Sequence, residues 1–351
     1  MGLIPKLWNG KRVLVTGHTG FKGSWLTLIL KDLGAEVVGL ALPPESPHSL
    51  YLDAGIGDEL YSETFQDIRD EIGINSAIQG IRIDYVFHLA AQAYVRRSLR
   101  APYESIATNV IGTANVLKPS LASDTVMGVT VITTDKVYEN LGVKKRFKEN
   151  DKLGGKDPYS ASKAAAEIIV ASLSATCNPL QIPVTTVRAG NVIGGGDWGE
   201  ERLVPDLVRA LNTNSKLVIR NPNATRPWQY VLDCLYGYLL VAQSHMEGRG
   251  DTPNSVNFGP DESLSVISLV SLFEDAFNKK LEIDISESSL PESEWLALDS
   301  DLARAYYGWG SSLSSAQAIK QTADWYSKFQ SGIDAKELML SEILKYKVDK
   351  W

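Results

Sequence analysis

A short apolar strand near the N-terminus leads directly into a glycine-rich loop. The run KRVLVT (11–16) is apolar and β-branched, as expected of a strand buried on both faces of a parallel sheet. TGHTGFKG follows, with Gly17, Gly20 and Gly23, and SWLTLILKDLG then shows helical spacing before Gly34. A strand, a G-x-x-G-x-x-G loop and a helix in this order predict the first unit of a dinucleotide-binding sheet.

Strand and helix patterns continue to alternate as far as Gly194. Apolar runs predict strands at AEVVGLAL, LYSETFQD, RIDYVFHLAAQ, VMGVTVITT and IPVTTVRAGNVIG, while SIATNVIGTANVLKPS and DPYSASKAAAEIIVASLSA have helical spacing. The alternation predicts an α/β protein with a Rossmann-type, doubly wound parallel sheet and a smaller C-terminal substrate-binding lobe. We expect residues 1–190 to form the dinucleotide-binding domain, with a returning segment near 228–260, and residues 191–351 to form mainly the lobe.

Composition excludes several other classes of protein. Of the 351 residues 44% are apolar and 22% are charged, which is typical of a folded chain and not of a disordered one. The 35 basic and 42 acidic residues give a net charge of −7, which argues against a general binder of nucleic acids or anionic membranes. Cys177 and Cys234 form no CxxC pair and the four histidines are scattered, so we expect no disulfide framework and no metal site.

No segment has the pattern of an export signal or a membrane anchor. MGLIPKLWNGKR lacks the apolar core of a signal peptide. The longest apolar stretch, VLDCLYGYLLVA, is too short for a membrane span and contains Asp233. These features predict a cytoplasmic protein that is not attached to a membrane.

The glycine loop has the composition needed to hold a dinucleotide. Glycine lets the backbone approach a pyrophosphate, which would lie among the free N–H groups of the helix N-terminus. We expect cofactor contacts from Gly17, His18, Thr19, Gly20, Phe21, Lys22 and Gly23. No acidic residue that could bind the adenosine ribose of NAD occurs before Glu45, and no Lys or Arg lies between Lys31 and Arg69 to bind a 2′-phosphate. NAD is favoured, while His18 and Lys22 could serve a phosphate and leave NADP open.

Tyr159 and Lys163 stand four residues apart in DPYSASKAAAE, on one face of a predicted helix. A tyrosine with its usual pKa near ~10 is a poor base at neutral pH, but a nearby ammonium favours the phenolate. The phenolate can take a hydroxyl proton while hydride leaves the same carbon for NAD⁺. A Y-x-x-x-K pair is by itself more often a helical surface pair. Because this pair follows a glycine loop and a regular strand pattern, we interpret it as catalytic.

Together these features resemble the extended short-chain dehydrogenase/reductase family, over nearly the whole chain. The resemblance implies further cofactor contacts at the adenine and beside the two riboses, namely Asp67, Ile68, Leu89, Ala90, Ala91 and Gln92. Asn109 matches the structural asparagine of the family, which we count with the cofactor site. The resemblance also implies a symmetric homodimer.

VITTDKVYEN ends the fifth predicted strand with Thr133, Thr134, Asp135 and Lys136. Because strand C-termini face the ligand crevice of an open α/β sheet, these side chains are expected beside a substrate. In the family, a hydroxyl at Thr134 binds the 4-hydroxyl of a sugar, and Thr133 is counted with the cofactor contacts. Desolvation would favour a protonated Asp135, able to donate to a departing hydroxyl, and a neutral Lys136, able to remove a carbon-bound proton. From charge alone, a surface ion pair is the alternative.

Several segments resemble one branch of the family, the nucleotide-sugar 4,6-dehydratases. They are TGHTGFKGSWL, TTDKVYEN, GGKDPYSASKAAAE, RAGNVIGGGDW, ERLVPD and RNPNATRPWQYV. Related dehydratases usually have glutamate at the position of Lys136, so the lysine favours the branch that acts on CDP-sugars. The resemblance implies conversion of CDP-D-glucose to CDP-4-keto-6-deoxy-D-glucose and water through tightly held NAD. Another nucleotide-sugar dehydratase or a 4-epimerase is an alternative; a non-catalytic NAD(P)-binding scaffold is disfavoured because Tyr159 and Lys163 are both present.

The same resemblance implies a set of substrate contacts, namely Arg96, Asn191, Trp198, Arg202, Val204 and Arg226. Arginine suits a diphosphate because its planar donors engage two oxygens at once. Trp198 and Trp228 could form walls of the substrate pocket. Two places depart from the family pattern: Tyr230 stands where a histidine is expected, and residues 94–97 follow the pattern only loosely.

Overall fold

The computed structural model describes residues 2–286 and 295–350, except for the side chains of residues 349 and 350. The strands in these parts of the chain are β1 (Arg12–Thr16), β2 (Glu36–Ala41), β3 (Ser62–Phe65), β4 (Tyr85–His88), β5 (Val129–Ile132), β6 (Arg146–Phe147), β7 (Val184–Ala189), β8 (Val192–Ile193), β9 (Leu217–Ile219), β10 (Thr225–Arg226), β11 (Gln229–Tyr230), β12 (Ser255–Phe258), β13 (Leu264–Ser265), β14 (Ile283–Ile285) and β15 (Ala297–Leu298).

The helices alternate with these strands along the chain. They are α1 (Phe21–Asp32), α2 (Leu50–Asp53), α3 (Glu71–Ile78), α4 (Val95–Arg100), α5 (Pro102–Ile106), α6 (Thr113–Leu121), α7 (Pro158–Thr176), α8 (Leu203–Thr213), α9 (Val231–Met246), α10 (Val266–Phe277), α11 (Asp301–Tyr307), α12 (Ser315–Gln330) and α13 (Ala335–Lys350). No helix in the described parts of the chain is long and apolar enough to span a membrane.

The central element is a seven-stranded sheet with the order β12-β7-β5-β4-β1-β2-β3. Every pairing within it is parallel; Val15 of β1, for example, lies between Gly39 and Phe87. The strand order reverses between β1 and β4, and ligands of open parallel sheets bind outside the carboxyl ends of the strands at such a switch point. The predicted doubly wound parallel sheet is confirmed.

Helices cover both faces of the sheet, which explains why its inner strands are almost continuously apolar. All four residues of β4 and of β5 are buried. One core contains side chains of α1, α9 and α12, and a second, on the opposite face, contains those of α3, α6 and α7. Every residue of α9 is buried, so the long apolar stretch around Val231 forms a core helix.

The strand β12 pairs with β7 and lies within residues 228–260, the segment expected to return to the dinucleotide-binding domain. Two local features differ from the predicted elements, and the first is α3, which was not predicted. The single helix predicted at SIATNVIGTANVLKPS is divided into α5, a π-helical turn (Ala107–Gly112) and α6. Within this turn, the Asn109 side chain is hydrogen-bonded to the backbone of another segment, a tertiary contact that periodicity does not reveal.

Candidate active site

The carboxyl ends of the central strands open into one cleft with a volume of about 940 Å³. The predicted catalytic residues and the predicted substrate contacts all line it. The predicted cofactor contacts line it as well, with the exceptions of His18 and Asn109. Residues that are far apart in the sequence therefore meet in a single site.

The glycine loop forms the floor of this cleft at the start of α1. Gly17 has φ +76°, and a Cβ there would lie 2.7 Å from the Ala90 nitrogen. A Cβ on Gly23 would lie 2.1 Å from the Gly17 carbonyl oxygen, whereas one on Gly20 would meet nothing closer than 3.4 Å. The backbone is thus packed tightly behind the loop and open in front of it. This shape fits the pyrophosphate of a dinucleotide against the helix N-terminus.

His18 lies beneath the loop and does not line the cleft. Its Nε2 lies 2.6 Å from Glu63 Oε1, and its ring stacks on Phe65. Burial lowers the pKa of His18 below its usual value, although Glu63 opposes the shift. The His18 side chain therefore contacts Glu63 and lies outside the lining of the cleft. Lys22 does line the cleft, and its Nζ donates to the Tyr238 hydroxyl at 3.1 Å.

Asn109 supports the wall of the cleft from behind. Its Oδ1 accepts from the Gln92 backbone N–H at 2.9 Å, and its Nδ2 donates to the Gln92 carbonyl at 3.0 Å. The same Nδ2 donates to the Ser162 hydroxyl on α7. Asn109 thus ties the segment after β4 to the helix that carries Tyr159 and Lys163.

The helix α7 begins at Pro158, where the Asp157 side chain accepts from the Ser160 backbone N–H. This cap places Tyr159 and Lys163 in the first two turns, and both side chains are buried. The Lys163 ammonium donates to the Ile132 carbonyl of β5 at 2.8 Å. The helix start is therefore fastened to the strand that ends in the catalytic segment.

The pKa of Tyr159 is raised in the structure, whereas the sequence analysis expected the nearby Lys163 to lower it. Burial raises the pKa of Tyr159 to about 12, and the hydrogen bond with Thr134 opposes the shift only in part. Burial and the neighbouring Lys22 lower the pKa of Lys163 to about 8. In the polypeptide alone, the loss of hydration outweighs the charges that favour a phenolate.

Asp135 is buried at the end of β5, in a 3-10 turn that begins after Thr134. The Thr134 hydroxyl donates to Asp135 Oδ1 at 3.0 Å, while Asp135 Oδ2 is buried without a hydrogen-bond partner. A Cβ on Gly190 would lie 1.9 Å from that oxygen, so only glycine leaves room for the carboxyl group. Burial raises the pKa of Asp135, against the charge of Lys136, and so favours the protonated acid. A surface ion pair would not bury its carboxylate in this way.

A buried network holds the catalytic segment in place, and sequence reasoning missed it. Glu167, one turn after Lys163, accepts from the Thr133 hydroxyl at 2.5 Å and from Arg188 Nε at 2.8 Å. Arg188 also donates to the Tyr138 hydroxyl at 2.7 Å. The network joins α7, β7 and the two sides of the Thr134–Val137 segment. In the sequence, only the spacing of Glu167 four residues after Lys163 indicates this network, because the hydrogen-bond partners of Glu167 are distant in the chain.

The predicted substrate contacts line the same cleft. Arg202 donates to Asp197 Oδ2 at 3.0 Å, and its guanidinium lies 5.3 Å from the centre of the Tyr94 ring. Arg226 lies on β10 and lines the same cavity. Trp198 donates from Nε1 to Asp53 at 2.9 Å, which holds its ring at the cleft wall. Cationic groups thus face the cleft from two different segments.

The two departures from the family pattern lie in different places. Tyr230 is buried and does not line the cleft; its hydroxyl donates to Glu342 on α13. Residues 94–97, by contrast, all line the cleft. The lining also contains residues that the sequence analysis did not assign to the site, among them Glu45, Arg220 and Asn221.

Comparison with known proteins agrees with this arrangement. The CDP-glucose 4,6-dehydratase of Salmonella typhimurium is 37% identical to this chain over 97% of both proteins. The probable dTDP-glucose 4,6-dehydratase of Sinorhizobium fredii is 27% identical over 90% of this chain and 92% of that protein.

Solved structures at lower identity share the fold. An epimerase from Methanothermobacter thermautotrophicus matches with a TM-score of 0.81 at 22% identity, over 93% of this chain and 95% of that chain. The dTDP-glucose 4,6-dehydratase of Streptomyces venezuelae, solved with NAD bound, matches with a TM-score of 0.80 at 24% identity, over 91% and 98% of the respective chains.

Residues 13–259, which contain the glycine loop, Tyr159, Lys163 and the segment after β5, match a family described as the NAD dependent epimerase/dehydratase family. The match agrees with the predicted resemblance and with the preference for NAD. The chain belongs to the NAD dependent epimerase/dehydratase family.

Proposed function

We propose that this protein is a cytoplasmic CDP-glucose 4,6-dehydratase, a hydro-lyase that converts CDP-D-glucose to CDP-4-keto-6-deoxy-D-glucose and water. The observation that carries the proposal is the presence of Thr134, Asp135 and Lys136 in the same cleft as Tyr159. A 4-epimerase needs only the tyrosine and the hydroxyl, because it removes and returns one hydride. The 37% identity to a CDP-glucose 4,6-dehydratase over nearly the full chain supports the same substrate.

Tyr159 starts the reaction by taking the proton of the sugar 4-hydroxyl, which Thr134 holds. Bound NAD would accept the C4 hydride and later return it to C6, so that no net oxidation occurs. The positive charge of the oxidised nicotinamide and the Lys163 ammonium both favour the Tyr159 phenolate, against the effect of burial. Residues of the glycine loop and the wall at Leu89–Gln92 would hold the dinucleotide.

Asp135 and Lys136 carry out the elimination. The ketone at C4 acidifies the C5 proton, which Lys136 removes. Asp135, protonated because it is buried, donates to the C6 hydroxyl as it leaves as water. The C6 carbon then receives the hydride and C5 regains a proton, so the sum of the steps is the loss of one water molecule.

A panel of nucleotide-glucoses tests the proposal directly. The purified protein with NAD is incubated separately with CDP-glucose, dTDP-glucose and UDP-glucose, and the alkaline absorbance of the 4-keto product is followed. We expect product from CDP-glucose at the highest kcat/KM. Conversion of a nucleotide-sugar to its 4-epimer without loss of water would contradict the proposed reaction, and a preference for dTDP-glucose would contradict the proposed substrate.

Arg202 and Arg226 are proposed to bind the substrate diphosphate, as part of a substrate-binding lobe formed mainly by residues 191–351. Replacing either with alanine is expected to raise the KM for CDP-glucose more than it lowers kcat. A lost charge-assisted hydrogen bond corresponds to ~1.5–3 kcal/mol, or roughly one to two decades in KM. Steady-state kinetics measure the split, with the exposed surface variant Arg82→Ala as the matched control. An unchanged KM in both cleft variants would place the diphosphate elsewhere.

The proposed enzyme is a homodimer that pairs through α5, the following π-helical turn and α7. Tyr103, Ile106, Ile111 and Ile168 expose 85%, 45%, 52% and 59% of their surface in the single chain. An apolar surface shared by neighbouring helices is typical of a self-complementary interface. Light scattering after gel filtration should give twice the chain mass of 38.4 kDa. Ile111→Arg should halve that mass. Ile72→Arg is the control and should leave the mass unchanged, because Ile72 is an exposed residue of α3, outside the proposed interface. A monomeric wild type would refute the dimer.

A further inference from the structure

The strand β2 ends without the acidic residue that usually recognises the adenosine ribose in this fold. The strand ends at Ala41, and Leu42, Pro43 and Pro44 follow. The Thr19 hydroxyl in the glycine loop donates to the Leu42 carbonyl at 3.0 Å, so this loop is tied to the floor of the cofactor cleft. A dinucleotide places its adenosine ribose off the carboxyl end of this strand.

Two charged residues meet at this place, although they are distant in the sequence. Glu45, in the loop after β2, accepts from Arg97 Nη1 through both carboxylate oxygens, at 2.7 and 2.9 Å. Arg97 lies on α4, and its other side donates to Glu104 at 2.7 and 3.3 Å. One guanidinium between two carboxylates gives the group a net charge of −1.

Glu45 is the member of this group that is best placed to meet a ligand. All three residues of the group line the cleft, and the Glu45 side chain is 65% exposed, compared with 34% for Arg97 and 28% for Glu104. A carboxylate offers about four lone-pair sites, of which Arg97 uses two. The neighbouring Asp67 is occupied by Arg69, which donates to both of its oxygens.

We propose that Glu45 binds the adenosine ribose hydroxyls and that the Glu45–Arg97 pair selects NAD over NADP. The Glu45 carboxylate accepts from a ribose hydroxyl but repels a 2′-phosphate. It also occupies the Arg97 guanidinium, a group of the kind that binds a 2′-phosphate in this fold. The selection resides in one residue of the loop after β2 and one residue of α4, and the sequence alone does not show that these two residues form a pair.

The test measures binding of NAD and NADP by calorimetry to the full-length protein after removal of bound nucleotide, without any sugar nucleotide. Its outcome is therefore independent of which sugar the enzyme converts. The wild type should bind NAD more tightly. Glu45→Gln removes the negative charge and leaves Arg97 free to pair with a 2′-phosphate, so NADP should bind about tenfold more tightly and NAD more weakly.

Two further variants separate the roles of the pair. Glu45→Gln combined with Arg97→Ala should lose the gained affinity for NADP, because the guanidinium that binds the phosphate is gone. Glu36→Gln is the matched control, since Glu36 pairs with Arg12 at the opposite end of β2. It should leave the ratio of the two affinities unchanged. An unchanged ratio in Glu45→Gln, with an unchanged melting temperature, would overturn the proposal, as would a wild type that prefers NADP.

Discussion

Tyr159→Phe is expected to remove almost all turnover while the fold and NAD binding are kept. The variant loses only the hydroxyl that would take the proton of the sugar 4-hydroxyl, and loss of an acid–base group of this kind costs about 10²–10⁴-fold in rate. The Tyr159 ring is buried at the start of α7, so phenylalanine fills the same space. The measurements are kcat with CDP-glucose and the Kd of NAD.

Tyr51→Phe is the matched control for this experiment. Tyr51 is also buried, but its hydroxyl donates to Glu63 and it does not line the cleft. We expect its turnover to stay close to that of the wild type. Lys163→Ala should lower turnover and also weaken NAD binding, because the resemblance to short-chain dehydrogenases/reductases implies that Lys163 also contacts the nicotinamide ribose. Near wild-type turnover in Tyr159→Phe would show that another group is the base.

Lys136→Ala is expected to stop the reaction after its first half. In the proposed mechanism, oxidation at C4 requires Tyr159 and NAD, whereas removal of the C5 proton requires the Lys136 amine. The hydride would then stay on the cofactor, and enzyme-bound NADH should accumulate when CDP-glucose is added. Exchange of the C5 hydrogen with deuterated solvent should fall together with dehydration.

A single-turnover absorbance trace in the NADH band, run beside the exchange measurement, distinguishes this outcome from a structural role. A surface ion pair with Asp135 would predict instead a stability loss on the order of 1 kcal/mol or less, with catalysis kept. Lys156→Ala is the control, because Lys156 also lines the cleft but lies outside the 3-10 turn Asp135–Val137 that follows β5. Undiminished dehydration by Lys136→Ala would remove the main chemical reason for preferring a CDP-sugar.

Local patterns in the sequence were sufficient to predict the parallel sheet, the glycine loop and the Tyr159–Lys163 pair. A strand that is buried on both faces reads as a continuous apolar run, and the apolar residues of a helix recur about every 3.6 residues. The dinucleotide loop needs glycine at short fixed intervals. Each of these signals is confined to a few neighbouring residues, so a single sequence displays it. The predicted strands were longer than the observed ones, because only the inner part of each predicted run pairs in the sheet.

Only the tertiary structure decided the surroundings of these residues. His18 belongs to the glycine loop in sequence, but packing against Glu63 and Phe65 takes its ring away from the cleft. The charge states of Asp135 and Tyr159 depend on burial, which is set by elements from many parts of the chain. The Glu45–Arg97 pair joins two residues that no periodicity links. Contacts of this kind depend on which loops the parallel sheet brings to one edge, and that information is spread over the whole fold.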